Sequence, residues 1–414
     1  MSNYIKKNFN LILNIFILLH PIIDLITGIC LHVFKLNLTF GNIIRIMFLI
    51  VIMFCTIFVY KKKKALLYYS IVGIYFFLYF ISLITIKDGV GFFTEIQGLI
   101  RTFYFPIILL SLYEIKEDVK INVKTLTTTL CLYLLCILIP TLFGMGYQSY
   151  EITKTGTLGF YNSANEISGI LSILLPVAII NFKEKTNLFF KILFGIIYLI
   201  VIFMVGTKTP LLALLITIGM LFLWIIINCF KNKKYKPIIY SLVIILMGII
   251  SMLVIIPKTN FYKNIEVHLE YLEVDSIIDV FKDAELIDHF IFSQRLSFWN
   301  NRETEFANVN IYQKLVGIGY LTNGKLSKTV EMDYIDVYYS HGILGFIIFF
   351  SSYIYVIVSI FKNSKKINFE KYMFITSFLL ILVLSLFTGH IIVAPAVSLI
   401  AIVIILNLND LERT

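Results

Sequence analysis

The segment 211–256, "LLALLITIGMLFLWIIINCFKNKKYKPIIYSLVIILMGIISMLVII", decides the fold. Two apolar runs, 209–229 and 238–257, flank a short basic cluster, "KNKKYK" at 231–236. A helix rises 1.5 Å per residue, so about 20 apolar residues cross a hydrocarbon core of about 30 Å. Each run meets that need. The cluster between them is too polar for lipid, and Lys-rich turns collect on the cytoplasmic side. The pair therefore reads as a helical hairpin through a membrane.

Working outward, the same pattern recurs near 11–34, 41–60, 65–86, 98–115, 122–145, 166–182, 191–206, 336–361, 371–389 and 390–408. The last two runs share a tight turn around "TGH" at 388–390. Composition agrees. The chain has 414 residues, 59% hydrophobic and 14% charged, with a mean hydropathy of +0.90, whereas soluble domains are about 25% charged. The predicted fold is an all-α polytopic membrane protein of about twelve transmembrane helices. It divides into a membrane domain at 1–257 with helices 1–9, a large, partly helical extracytoplasmic loop at 258–335, and a membrane domain at 336–414 with helices 10–12. The first run begins near Asn10, is too long for a signal h-region and has no A-x-A-like site after it, so it is expected to stay as a membrane helix.

Basic clusters occur at Lys6-Lys7, 61–64, 116–124, 183–191, 231–236 and 362–371. All six fall on one side if twelve helices alternate from a cytoplasmic N-terminus. The expectation is a multi-pass protein of the cytoplasmic membrane with both termini inside. The opposite side receives 146–165, the turn "GTKT" at 206–209 and the loop at 258–335, which carries twelve acidic and eight basic residues. The formal charge of +10 is thus a topology signal and a poor argument for a nucleic-acid partner. Cys30, Cys55, Cys131, Cys136 and Cys229 all lie in apolar runs, as small hydrophobes rather than a disulfide framework or metal set. No metal and no cofactor is expected.

The long loop holds the most chemistry. In "SQRLSFWNNRETEF", 293–306, Leu296, Trp299 and Phe306 form an apolar stripe and Ser293 reads as an N-cap. Arg295 and Arg302 then lie about two turns, roughly 10 Å, apart on a neighbouring face. "NIEVHLEYLEV" places Ile265, Leu269 and Leu272 at helical spacing, while 316–320 and 321–325 read as turns. Charges within apolar runs are costly and usually functional. Asp24 lies mid-helix, and Arg45 and Arg101 lie near the outer ends of the second and fourth helices. Either the two arginines snorkel to the interface, with Asp24 or Glu95 as partners, or they form an anion site. Lys208, in "MVGTKTPLLALL", is an anchor or else reinforces the anion site that a helix N-terminus makes. Glu331, Asp333, Asp336 and His341 gather where the chain re-enters the membrane. The acids cap the helix through its dipole or supply a general base, and His341 is an interior histidine or a site residue. Guanidinium forks match phosphate oxygens, so a phosphate-bearing substrate at the outer face is the natural inference.

The order of these pieces resembles the O-antigen ligase/polymerase family, in its Gram-positive-type branch. The resemblance is carried by "GFYNSANEISGILSILLP" 159–176, "GTKTPLLALL" 206–215, "SQRLSFWNN…LVGIGY" 293–320 and "EMDYIDVYYSHGILG" 331–345, with "PIIDLITG" 21–28 and "GNIIR" 41–45. It implies a glycosyltransferase of capsule or surface-polysaccharide synthesis. The donor would be a glycan on polyprenyl diphosphate (undecaprenyl diphosphate in bacteria), the acceptor a glycan or lipid-linked glycan, and the transfer inverting and metal-independent. Membrane lipid and a chain-length regulator are the further partners implied. Under that resemblance Arg295 and Lys208 bind the diphosphate, with Arg45 and Arg101 as further candidates. Arg302 joins them on helical spacing alone. Asn162 and Asn165, in the first of these segments, are also candidate site residues. Family ligases carry His-Asn where this chain has Glu331-Met332, so Glu331 would be the base, with Asp333 or His341 as substitutes. That favours a repeat-unit polymerase, or a ligase to another acceptor, over a lipid A-core ligase. The rival reading is a flippase or transporter of lipid-linked oligosaccharide. The long external loop and the lack of half-to-half similarity argue against it.

Overall fold

The computed structural model describes residues 2–35, 40–86, 91–150, 155–183, 187–322, 325–362 and 367–410. Nine long helices come first: α1 (Ser2–His32), α2 (Phe40–Phe54, extended by a π-helical turn Cys55–Val59), α3 (Lys63–Thr85), α4 (Phe92–Glu114), α5 (Val123–Leu142), α6 (Ala164–Lys183), α7 (Leu188–Val205), α8 (Lys208–Asn232) and α9 (Lys236–Ile255). Five short helices follow: α10 (Asn260–Tyr271), α11 (Ile277–Val280), α12 (Ala284–Phe292), α13 (Arg295–Ala307) and α14 (Ile311–Val316). A small ladder pairs β1 (Leu321–Thr322) with β2 (Lys325–Leu326), and the chain ends with α15 (Asp333–Lys362), α16 (Phe369–Phe387) and α17 (Pro395–Asp410). Among the described residues, eleven helices are long and apolar enough to cross a membrane, and α17 is a shorter twelfth apolar helix. The protein is an all-α polytopic membrane protein. The turn expected at 321–325 contains residues 323–324, which lie outside the described residues.

The bundle is centred on α4, α6 and α17. Every residue from Thr102 to Tyr113 of α4 is buried, and α17 is buried from Pro395 to Leu408. In contrast, α9 buries none of its residues and packs chiefly on α8. The described parts of the basic clusters meet at one end. Lys6 lies over the Tyr60 ring at 5.3 Å, Lys64 donates to the Tyr355 hydroxyl at 2.8 Å, and the Lys120 N–H donates to Asn10 Oδ1 at 2.8 Å. The acidic loop, the 206–208 turn and residues 147–150 and 155–159 share the other end, where Asn264 Nδ2 donates to Gly206 O at 3.1 Å and the Thr157 N–H to Met204 O at 2.9 Å.

Two helix interruptions shape that second end. Within α15, Gly342 has φ 64° and ψ −171°, which breaks the i→i−4 ladder and frees carbonyls above it. The segment 316–320 uses them: the Ile318 N–H donates to Tyr339 O and the Gly319 N–H to Ser340 O, both at 3.0 Å. A Cβ on Gly317 would stand 2.1 Å from Ser340 O, so only glycine allows this approach. The second interruption replaces the tight turn expected at 388–390. Residues 389–394 are non-helical, and α17 begins at Pro395 rather than 390. Irregular backbone at membrane depth needs internal partners, because lipid offers none. Asp333, fully buried, provides them. Its carboxylate accepts the N–H groups of His390 (2.7 Å), Ile391 (2.9 Å) and Ile392 (2.8 Å).

Gly317→Ala forces backbone apart and should destabilise the detergent-solubilised protein by about 2 kcal/mol or more, read as a lowered thermal midpoint. Gly73→Ala is the matched control, since its Cβ meets nothing within 4 Å. Equal midpoints for the two variants would contradict the packing of 316–320 on α15.

Candidate functional site

The α12–α13 junction differs from the expected Ser293 cap. Ser293 and Gln294 both take left-handed conformations (φ 54° and 66°), so one closes α12 and the other opens α13. Asp288, buried in α12, does the capping. Its Oδ1 accepts the Leu296 N–H at 2.9 Å, and its Oδ2 accepts the Ser297 N–H at 2.9 Å and hydroxyl at 2.6 Å. Arg295 thereby becomes the first residue of α13. The stripe splits: Phe306 is buried, while Leu296 and Trp299 stay about one-third exposed, at 36% and 37%. Trp299 Nε1 donates to the Tyr339 hydroxyl at 3.0 Å.

Arg295 is 8% exposed and ties three segments together. Its Nε–H donates to Glu331 O (3.1 Å), Nη1 to Phe292 O (3.3 Å), and Nη2 to Glu331 Oε2 (3.1 Å) and Thr388 O (3.3 Å). A guanidinium has five N–H groups, so one remains uncommitted. Glu331 itself has φ +63° and also accepts from Lys328 Nζ at 3.2 Å. Burial pushes the Glu331 carboxyl up, but the charges of His390, Lys328 and Arg295 outweigh it and hold it below the usual glutamate range.

The other expected bases are also occupied. Asp333 is committed to the 390–392 backbone. Asp336 accepts the N–H groups of Val330 (2.8 Å) and Met332 (3.2 Å), so it fixes the turn that presents Glu331. His341 is fully buried, with Nδ1 3.2 Å from the Tyr75 hydroxyl and Nε2 2.8 Å from the Tyr320 hydroxyl. Neither acid serves mainly as a dipole cap, and a base on any of these groups would first have to give up a structural bond.

Lys208 opens α8 beside this group. Its ammonium donates to Phe290 O and lies 4.3 Å from the Phe290 ring centroid, and Arg295 is among the charges acting on it. Thr207 makes no side-chain cap bond to α8, so the first N–H groups of that helix stay open to an anion. Instead the Thr207 hydroxyl lies 2.6 Å from Ser168 Oγ on α6. One turn below Asn165 on that helix, Gly169 faces Ile391, where a Cβ would meet Ile391 Cδ1 at 2.6 Å. The structure thus brings Arg295, Glu331 and Lys208 around one mouth, floored by the 389–394 segment.

The remaining candidates lie elsewhere. Arg302 is buried, donating to Glu305 Oε2 (2.7 Å) and Gly319 O (2.8 Å), which corrects its place in a diphosphate site: it holds α13 to the 316–320 segment. Arg45 is buried in an ion pair with Asp24, whose other oxygen accepts from the Tyr133 hydroxyl at 2.5 Å. It does not snorkel; only its Nη2 bonds Asp24, and its buried Nε–H has no partner among the described residues. Glu95 is no partner of Arg101. It accepts from the Tyr79 hydroxyl and the Tyr320 and Leu321 N–H groups. Arg101 is exposed, with no hydrogen bond or ion pair among the described residues. Asn162 Oδ1 lies 3.0 Å from His32 Nε2, apart from Arg295. Three residues that shape the site, Asp288, Tyr320 and His390, were not read from sequence, since nothing local marks a cap lent by one helix to the next or a loop folded into the membrane.

Because the Glu331 carboxyl is depressed, its contribution is present above the ordinary glutamate range and is lost as pH falls through its lower folded value. The excess thermal midpoint of wild type over Glu331→Gln should hold from pH 7 to about pH 5 and shrink only below. A difference already vanishing near pH 6 would contradict the ion pair.

The O-antigen ligase like membrane protein family matches residues 6–284 and 275–412. No curated protein matches the chain significantly. With nearly the whole length covered by the family, and with the helical membrane architecture described above, this chain belongs to the O-antigen ligase like membrane proteins.

Proposed function

We propose that this protein transfers oligosaccharide from polyprenyl diphosphate to a glycan or lipid-linked acceptor at the outer face of the cytoplasmic membrane. Transfer occurs repeatedly as a polymerase or en bloc as a ligase, in surface-polysaccharide or capsule synthesis. One observation carries this: Arg295, Lys208 and the open α8 N-terminus converge at the bundle end opposite the basic clusters. A diphosphate meets all three. The free N–H of Arg295 takes a first phosphate oxygen, and exchange of Glu331 Oε2 for a second makes the contact bidentate. Glu331 thus holds the guanidinium in place until substrate arrives.

The step is an inverting displacement. The acceptor oxygen forms its bond to sugar C1 from the face opposite the diphosphate, the C1–O bond to the diphosphate breaks, and its electron pair leaves with the polyprenyl diphosphate. Arg295 and Lys208 stabilise the charge developing there. Arg101, exposed and unpaired among the described residues, suits a further phosphate, whereas Arg45 and Arg302 are spent on structure.

The test uses purified protein in lipid with a polyprenyl-diphosphate oligosaccharide. Arg295→Ala should reduce transfer by at least about 100-fold, and Arg302→Ala should cost less activity but more thermal stability. A product ladder made by wild type identifies a polymerase, and a single shifted product that needs an added acceptor identifies a ligase. Full activity of Arg295→Ala overturns its diphosphate role. Failure of wild type with every donor overturns the enzyme reading in favour of a lipid-linked oligosaccharide flippase.

A further inference from the structure

The transfer proposed above releases a proton from the acceptor hydroxyl, and the acids around the mouth are already bonded. Asp288, Glu331, Asp333 and Asp336 are occupied as described; away from the mouth, Asp24 pairs with Arg45 and Glu95 is held by Tyr79, Tyr320 and Leu321. Glu166 differs. It lies in the first turn of α6 and is half-buried. Its carboxylate makes no hydrogen bond or ion pair among the described residues.

The sequence around Glu166 offers it a structural task that it does not perform. "SANE", 163–166, is a capping box, in which the N-cap hydroxyl bonds the fourth residue's N–H and the glutamate reaches back to the N-cap N–H. The first half is present: the Glu166 N–H donates to Ser163 Oγ at 3.4 Å. The reciprocal bond is not made, so the carboxylate is left open. Its direction follows from helical geometry. Residues three apart share a face, which places Glu166 one turn outward from Gly169, whose own Cβ position meets Ile391 and Val397. Glu166 therefore stands above the 389–394 floor, beside Asn165 and close enough to add to the field at Arg45. On the same helix Ser168 meets Thr207, the neighbour of Lys208.

The geometry points to Glu166 as the general base, a catalytic residue that touches the acceptor hydroxyl. Its carboxylate takes the hydroxyl proton as the oxygen bonds to C1, while the electron pair of the cleaved C1–O bond leaves on the diphosphate held by Arg295 and Lys208. Base and leaving-group cations then come from different elements, α6 on one side and the α8 and α13 starts on the other, as an in-line displacement needs. This inference rests on the transferase reading, and wild-type turnover is the control that separates the two.

Glu166→Gln should lower kcat about 100- to 1,000-fold with the donor KM within about threefold. In Glu166→Ala, formate at hundreds of millimolar should restore at least about tenfold. If wild type turns over and Glu166→Gln keeps a third or more of its rate, the assignment is overturned. Absence of formate rescue in folded Glu166→Ala overturns it too. Since the carboxylate bonds no protein group, both variants should keep the wild-type thermal midpoint. A variant that fails to fold would show that Glu166 serves α6 and would equally overturn the proposal.

Discussion

Lipid cannot hydrogen-bond a peptide group, and that constraint organises the end of the bundle that carries Arg295. A chain that leaves helical geometry inside the membrane must bring its own acceptors and donors. Asp333 does so for the 389–394 segment, with three N–H groups on one carboxylate. The Gly342 break does so for 316–320 by releasing carbonyls that the incoming strand takes up. Removing either interruption would close the space above the bundle with continuous helix. Both exist because a specific group answers each freed backbone atom, and together they set the floor and one wall of the mouth.

The same accounting sorts the charges. A buried arginine needs a partner: Arg45 has Asp24, and Arg302 has Glu305 and the Gly319 carbonyl. Burying such a pair gains little net stability, but removing one member leaves a stranded charge, so these arginines are fixed for structural reasons. Arg295 stands between the two classes. It is buried and bonded, yet three of its four bonds go to neutral carbonyls and the fourth to an acid that Lys328 also holds. It is the buried guanidinium here that keeps an uncommitted N–H beside a second cation, Lys208.

The apolar runs separated by lysine clusters were legible because hydrophobic thickness fixes helix length. Arg295 and Lys208 were singled out by resemblance and by the isolation of cations at one end, and the fold places them close together. The rest was not. Arg302 has the same local surroundings as Arg295 in sequence, and only the fold shows that Gly319, 17 residues on, claims it. Asp333 reads as a dipole cap or a base until the 390–392 backbone, 57 to 59 residues away, is seen to need it. Helical periodicity could not reveal that the twelfth helix starts at Pro395, because 390–394 is as apolar as the helix that follows. Long-range satisfaction of polar groups is what a linear reading misses.

The exposure of α9 has a mechanical side. This helix touches the bundle mainly through α8 and buries no residue, so most of its surface faces away from the rest of the described protein. Apolar contact with protein gives such a helix little advantage over contact with lipid, and its tilt follows the thickness of the surrounding hydrocarbon. Its outer end runs through Ile256–Lys258 directly into α10, while the far end of the same polar segment is clamped to α15 and to the 389–394 floor. The polar segment that carries Arg295 is thus held firmly at its α15 end and loosely at its α9 end.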